Sequence, residues 1–319
     1  MRRRHHAPPS PLPQRQGIDP VRLRLPVEGA WPTVRAYLAD RLPAVPASHF
    51  DAMLAAGEIH GEDGPLTPDT PYRPGAWLWF HRELAPETPV PFALDVLYRD
   101  ERLLVVDKPH FLATTPRGSH VTETALARLR HRLDLPELSP AHRLDRLTAG
   151  LALFVVHPAH RGVYQGLFAD RLVHKEYQAI APYRPELALP TTVRSHIVKE
   201  RGIIAAHELP DVAPNAESRV ELLEHTGGLG RYRLLPATGR THQLRLHMSG
   251  LGIPILNDPV YPVVLPERPP DDFSDPLQLL ASVLAFTDPV TGGKLRFTSR
   301  RTLGAWPPPA APSPAGGPA

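Results

Sequence analysis

The chain has 319 residues, 42% of them hydrophobic, enough for one large domain with a small companion. It contains no cysteine, which excludes a disulfide framework, thiolate metal sites and a cysteine nucleophile together. A formal charge of +3 excludes a histone-like polycation but leaves room for a local basic face, and no apolar run approaches the roughly 20 residues that span a bilayer.

Residues 1–20 are rich in Pro, Arg and Gln and poor in large apolar groups. They are expected to form a disordered basic tail, because they bury too little surface to offset the entropy of ordering. The start, Met1-Arg2-Arg3-Arg4-His5-His6, lacks the apolar core of a secretory signal, so a cytoplasmic location is expected. Residues 21–85 are expected to form a small helix-rich module. Thr33 is placed to cap a first helix, and His49 to Ala56 reads as a second, with Phe50, Met53 and Leu54 on one side and Gly57 ending it. Pro74-Gly75 marks a turn before a strand over Ala76–Phe80. Residues 86–92, with prolines at alternate positions near the end, read as a stiff linker.

The large domain is expected over residues 93–306. Val96–Tyr98 and Leu103–Val106 are strands around an Asp100-Glu101 turn. Thr122 is placed to cap a helix carrying Leu126, Leu129 and Leu133. A strand over Leu151–Val156 precedes a helix over Ala159–Asp170, with Val163 and Leu167 facing inward. Tyr177–Ile180 is a strand, and Arg219–Leu223 and Arg231–Leu235 pair across Gly227-Gly228. A helix over Thr241–Gly250 carries Thr241 as cap and Leu244, Met248 and Leu251 as its apolar stripe. Hairpins mixed with intervening helices predict an α+β fold with a mixed sheet, not a doubly wound parallel one. Residues 307–319, nearly all Pro, Ala, Gly and Ser, are expected to be disordered.

The chemistry concentrates in His142-Arg143-Leu144-Asp145-Arg146-Leu147-Thr148-Ala149-Gly150. Arginine on both sides of Asp145 favours its ionised form and attracts a polyanion to the same spot. A charged acid in a basic setting suits nucleophilic attack on a sugar within a nucleic acid. Taken alone, Asp-Arg neighbours are more often surface ion pairs worth little. Three further segments stand out: Val106-Asp107-Lys108-Pro109 leading to Thr114-Thr115-Pro116, His174-Lys175-Glu176-Tyr177, and Gly239-Arg240-Thr241-His242-Gln243-Leu244-Arg245 running on to Asn257-Asp258.

This ordered set resembles the RluA family of RNA pseudouridine synthases, from Val96 to about Arg300. The resemblance implies the pseudouridine synthase fold, with a largely antiparallel central sheet and flanking helices. It implies isomerisation of uridine in ribosomal or transfer RNA, with no cofactor and no metal. Asp145 matches the nucleophilic aspartate, Tyr177 the tyrosine against the target base, and Arg245 the basic partner of the aspartate. His142 and Arg143 match neighbours that help open the site in RNA, and Lys175 matches the lysine before the tyrosine. Lys108, Arg146, Arg240, His242 and Gln243 are the further candidate RNA contacts. A monomer with no obligatory protein partner and no membrane contact is expected. The module near 30–82 resembles, weakly, the RNA-binding module that often precedes this domain, with few basic residues.

The pattern departs from the family at three places. Leu147 and Ala149 stand where Asp and Ser are common, Asn257 stands where Gly is common, and Leu280 stands where His is common. A catalytically silent RNA-binding protein on the same fold is the first alternative; retention of Asp145, Tyr177 and Arg245 counts against it. A metal-dependent hydrolase is the second. His242 and His247 lie five apart, whereas ligands facing one way on a helix lie three or four apart.

Overall fold

The computed structural model describes residues 8–306, which divide into two compact units. The first comprises residues up to Pro86 together with Arg130–Pro136; the second comprises Glu87–Leu129 and the chain from Glu137 onward. The expected tail at 307–319 and the first seven residues lie outside the described residues. Within the described part of the tail expected to be disordered, residues 8–20, Arg15–Ile18 instead form a hydrogen-bonded turn. Arg15 and Ile18 exchange backbone bonds at 3.0 and 2.9 Å, and Asp19 pairs with Arg130 at 2.9 Å. Composition missed this because the partner of Asp19 lies more than a hundred residues away.

The first unit holds β1 (Val21–Arg24), α1 (Val34–Arg41), α2 (Ala47–Ala55), β2 (His60–Gly61), β3 (Gly64–Pro65) and β4 (Trp77–Phe80). Thr33 caps α1 by accepting from Ala36 N at 3.2 Å, and Gly57 ends α2 with φ +68°. Leu38, Phe50, Leu54, Leu78 and Phe80 fill its core. The expected strand at 76–80 is one of four: a sheet in the order β1-β4-β2-β3 completes the module.

The second unit holds β5 (Asp95–Arg99), β6 (Leu103–Lys108), α3 (Ala125–Leu133, of which Arg130 onward groups with the first unit), β7 (Ser139–Pro140) and β8 (Ala149–Val155). It continues with α4 (Arg161–Ala169), β9 (His174–Pro182), β10 (Thr191–Val198), β11 (His207–Leu209), β12 (Ala216–Thr226) and β13 (Leu229–Pro236). It ends with α5 (Gln243–Gly250), β14 (Leu279–Thr287) and β15 (Lys294–Thr298). The sheet runs β11-β10-β12-β13-β9-β14-β8-β6-β5, with β15 on β14 and β7 on β8. β8 and β14 run parallel and the other pairs antiparallel, so the sheet is mixed and largely antiparallel, as expected. All seven residues of β8 are buried, as in a central strand covered on both faces.

Local chemistry explains most boundaries. Asp100 Oδ1 accepts from Arg102 N and Leu103 N at 2.7 and 2.6 Å and turns the β5–β6 hairpin. The cap of α3 is Thr124, which accepts from Ala127 N at 3.2 Å, not Thr122. Thr122 donates instead to Glu87, whose carboxylate also accepts from Val121 N, Thr122 N and Glu123 N. Glu87 is thus an anchor of the second unit, not part of a free linker. In α4 the inward residues are Tyr164 and Leu167, while Val163 is 46% exposed, one position out of phase with the expectation. Tyr164 wins the core position because its hydroxyl reaches the buried Asp288 at 2.9 Å.

Gly150 fixes the exit of the acidic motif. It has φ +109° and pairs with Ala281 across the parallel β8–β14 contact. A Cβ there would lie 2.3 Å from Ala281 O, so only glycine allows the two strands to close. This closure sets the turn that carries Asp145.

Candidate active site

Asp145 lies in the turn just before β8, where Thr148 N donates to its backbone carbonyl at 3.1 Å. The segment that follows β6 holds this turn from behind. Lys108 Nζ donates to Arg146 O at 3.3 Å, and also to Pro109 O and Leu112 O at 2.9 and 2.8 Å. His110 Nδ1 donates to Leu147 O at 2.7 Å. Thr114 Oγ1 donates to Leu144 O at 2.8 Å and accepts from Leu144 N at 3.1 Å. Three side chains therefore tie down the backbone on both sides of Asp145. Burial pulls the His110 ring down to about 4, so it stays neutral, and the carbonyl it faces only partly opposes this.

Lys108 corrects an expectation. It has no exposed surface, so it cannot touch RNA. Burial pulls its ammonium down to about 7, with the Asp145 charge opposing and Arg301 and Arg146 adding to the shift. Lys108→Met is expected to strand three carbonyls and cost roughly 3 kcal/mol of stability in chemical denaturation. A variant as stable as the wild type would show that these bonds contribute nothing.

Arg245 reaches the acid from α5. Its Nη1 lies 3.9 Å from Asp145 Oδ2, while Nε and Nη2 donate to Asp258 at 2.7 and 2.6 Å. The Arg245 and Asp258 side chains are 3% and 0% exposed, whereas Asp145 keeps 34%. Asp258 also accepts from Val260 N and Tyr261 N at 2.9 and 3.2 Å, and the Tyr261 ring lies 5.4 Å beneath the guanidinium. Burial disfavours the Arg245 charge, but Asp258 and then Asp145 outweigh it, so the guanidinium stays charged. The arginine is thus clamped by one buried carboxylate and offers its remaining edge to a second, partly exposed one.

Tyr177 stands on β9, paired with Leu234 of β13 and Ala281 of β14. Burial raises its hydroxyl, and the Asp145 charge raises it further, so it remains a neutral phenol. Arg143, Leu144, Asp145, Lys175, Tyr177, Arg240, His242, Gln243 and Arg245 line one open cleft of about 100 Å³. The three expected catalytic residues are therefore brought to the same place.

The expected RNA contacts divide. Arg143 and Arg240 are exposed at the cleft; Arg146 is exposed but does not line it. Lys175 lines the cleft and donates to Thr238 O at 3.1 Å; burial, then Arg171, lowers its ammonium below the usual lysine range. Gln243 is 4% exposed and corrects a second expectation: its amide is spent inside the protein. Its Oε1 accepts from Thr238 Oγ1 and Arg240 N at 2.7 and 3.0 Å, and its Nε2 donates to Glu217 O and Ser218 Oγ at 2.9 and 2.8 Å. It shapes the loop that displays Arg240. His142 is a third correction. Its Nε2 accepts from Leu153 N at 3.1 Å, its ring stacks on Phe168 at 4.3 Å, and it does not line the cleft. Burial, then Lys175, pushes it down to about 3, so it stays neutral.

The helix α5 also begins differently from expectation. Its N-cap is His242 in a left-handed conformation, φ +58°, and Thr241 makes no cap. His247 is buried, with Nε2 3.0 Å from Ser195 Oγ. Among the described residues no cluster of three His, Asp or Glu could hold a metal ion. Sequence reasoning missed His110, whose only signal is its place between Pro109 and Thr114.

The three family departures also find places. Asn257 has φ +62°, a conformation glycine favours and Asn tolerates. Ala149 and Leu280 are register partners in the parallel β8–β14 pair and share one apolar cluster with Ile180 and Leu303. Both positions are apolar here, which leaves no buried polar side chain unpaired between the two strands. Leu147 packs against the cluster that contains Leu244 and Leu279.

The structure titled human RNA pseudouridylate synthase domain containing 4 matches with a TM-score of 0.50 at 25% identity, covering 64% of this chain and 87% of that one. A family model described as RNA pseudouridylate synthase matches residues 102–250. The chain is 31% identical over 222 residues to the dual-specificity RNA pseudouridine synthase RluA of Haemophilus influenzae, covering 65% of this chain and 93% of the relative. It is 32% identical over 224 residues to the pseudouridylate synthase RPUSD2 of Homo sapiens, covering 68% of this chain but only 40% of that longer relative. The chain belongs to the RluA family of RNA pseudouridine synthases.

Proposed function

We propose that this protein isomerises specific uridines in ribosomal or transfer RNA to pseudouridine, with Asp145 as the reacting carboxylate. The observation that carries this is the partly exposed Asp145 held 3.9 Å from the buried Arg245, in one cleft with Tyr177. The reaction breaks the N-glycosidic bond, turns the base and forms a carbon–carbon bond, with no atom gained or lost. Asp145 either attacks the anomeric carbon or removes a sugar proton; both routes use its carboxylate, beside which the Arg245 guanidinium stands. Tyr177 supplies a flat neutral face that retains the free base during its turn. Arg143 and Arg240, exposed at the cleft, suit the phosphates on either side of a nucleotide drawn out of its stack.

The test is incubation of purified protein with transcribed ribosomal and transfer RNA, followed by chemical detection of pseudouridine. Product is expected in the presence of a chelator; activity abolished by chelation would favour a metal-dependent hydrolase. Tyr177→Phe is expected to keep RNA affinity but lose turnover by about a hundredfold. A Phe variant running at the wild-type rate would restrict the hydroxyl to packing. The same reading has the protein act as a cytoplasmic monomer without an obligatory protein partner, which light scattering of the purified protein would check.

A further inference from the structure

The hydroxyl of Tyr261 fixes the chemistry of a histidine in the cleft. A phenol oxygen carries one proton and accepts two hydrogen bonds. Ala206 N donates to Tyr261 Oη at 2.7 Å, and Oη donates to Ala206 O at 3.0 Å. Ala206 is buried, so its carbonyl would otherwise lack a donor. The single phenol proton is therefore committed. His242 Nδ1 lies 3.1 Å from the same oxygen and can only donate to it. The proton of the neutral ring is thereby placed on Nδ1, and Nε2 is left as a bare lone pair.

Two independent features hold that ring in the cleft wall. His242 has a left-handed backbone, φ +58°, a conformation that costs a residue with a side chain and recurs at functional positions. Its neighbour Gln243 locks the loop before it through Arg240 N and Thr238. Burial lowers the ring below the usual histidine range. Of the charges that face it, Arg245 and Lys199 act the same way, and Asp145 and Asp258 oppose. No described residue hydrogen-bonds to Nε2, although His242 lines the cleft beside Asp145.

We propose that His242 is a substrate-contacting residue whose unprotonated Nε2 accepts a hydrogen bond from the target nucleotide, with Tyr261 as the positioning residue that sets its tautomer. The donor is the ribose 2′-hydroxyl or the uracil N3–H; cytosine has no N3 proton and could not supply the second. This rests on the reading of the cleft as a uridine site.

The tautomer is tested in the free protein by nitrogen NMR of labelled histidine. In the wild type, His242 is expected to show a protonated Nδ1 and a bare Nε2, and Tyr261→Phe is expected to restore the Nε2–H form. A wild-type His242 protonated on Nε2 alone overturns the proposal, whatever RNA the protein modifies. The contact is tested on an RNA fragment carrying a uridine that the wild type converts. His242→Ala is expected to lower kcat/KM by about tenfold or more, while His242→Gln, which can present an acceptor near the Nε2 position, recovers most of the loss. Equal activity of wild type and His242→Ala, or no recovery with Gln, overturns the contact. A 2′-deoxyuridine at the target position separates the donors. The cost of His242→Ala vanishes if the 2′-hydroxyl is the donor and persists if N3–H is.

Discussion

Asp145→Ala is expected to abolish pseudouridine formation, by at least about a thousandfold, while leaving RNA affinity within a few-fold of the wild type. The turn is held by backbone bonds to Lys108, His110 and Thr114, none of which uses the Asp145 carboxylate. The side chain is partly exposed and 3.9 Å from Arg245, which keeps two shorter bonds to Asp258 when Asp145 is gone. Removing the carboxylate therefore deletes the proposed reacting group and one 3.9 Å ion pair, while every hydrogen bond that holds the turn remains. Rapid-quench product analysis and filter binding, run on one RNA preparation, separate the two effects. Undiminished product would remove Asp145 from the chemistry, and lost binding would make it a structural residue.

Asp258→Ala is expected to cause the largest loss of stability, about 3–5 kcal/mol, together with at least a hundredfold loss of turnover. Its carboxylate has no exposure and accepts from Arg245 at two positions and from two backbone amides. Without it, a buried guanidinium loses its main partner and two amides lose their acceptor. Arg245 is then free to close fully on Asp145 and to occupy the approach of the ribose. Denaturant unfolding measures the first effect. Single-turnover rates at a temperature where the variant is folded measure the second. A stable variant with normal turnover would show that Arg245 does not need its clamp.

The helices and hairpins around the site were legible because their signals are short-range. Thr33, Gly57 and the Gly227-Gly228 turn act within a few residues of themselves, and the expected elements lie close to the observed ones. The expectation for Asp145, Tyr177 and Arg245 came from the family resemblance, and the structure gathers the three in one cleft. The losses have a common cause. Lys108, Gln243 and His142 sit in motifs expected to face RNA, yet their own side chains turn inward to hold loops. A linear sequence does not say which side of a turn a residue faces. The supporting residues His110 and Thr114 act on carbonyls some thirty residues later, and Glu87 acts on amides at a similar distance. In α4, the helix itself was clear, but its phase depended on Asp288, far along the chain.

The account is tested most directly by mapping pseudouridines in total RNA from cells that lack this gene, complemented with the wild type or with Asp145→Ala. It predicts that at least one pseudouridine disappears from ribosomal or transfer RNA and returns only with the wild-type copy. A map unchanged by the deletion, or one restored equally by Asp145→Ala, would contradict it.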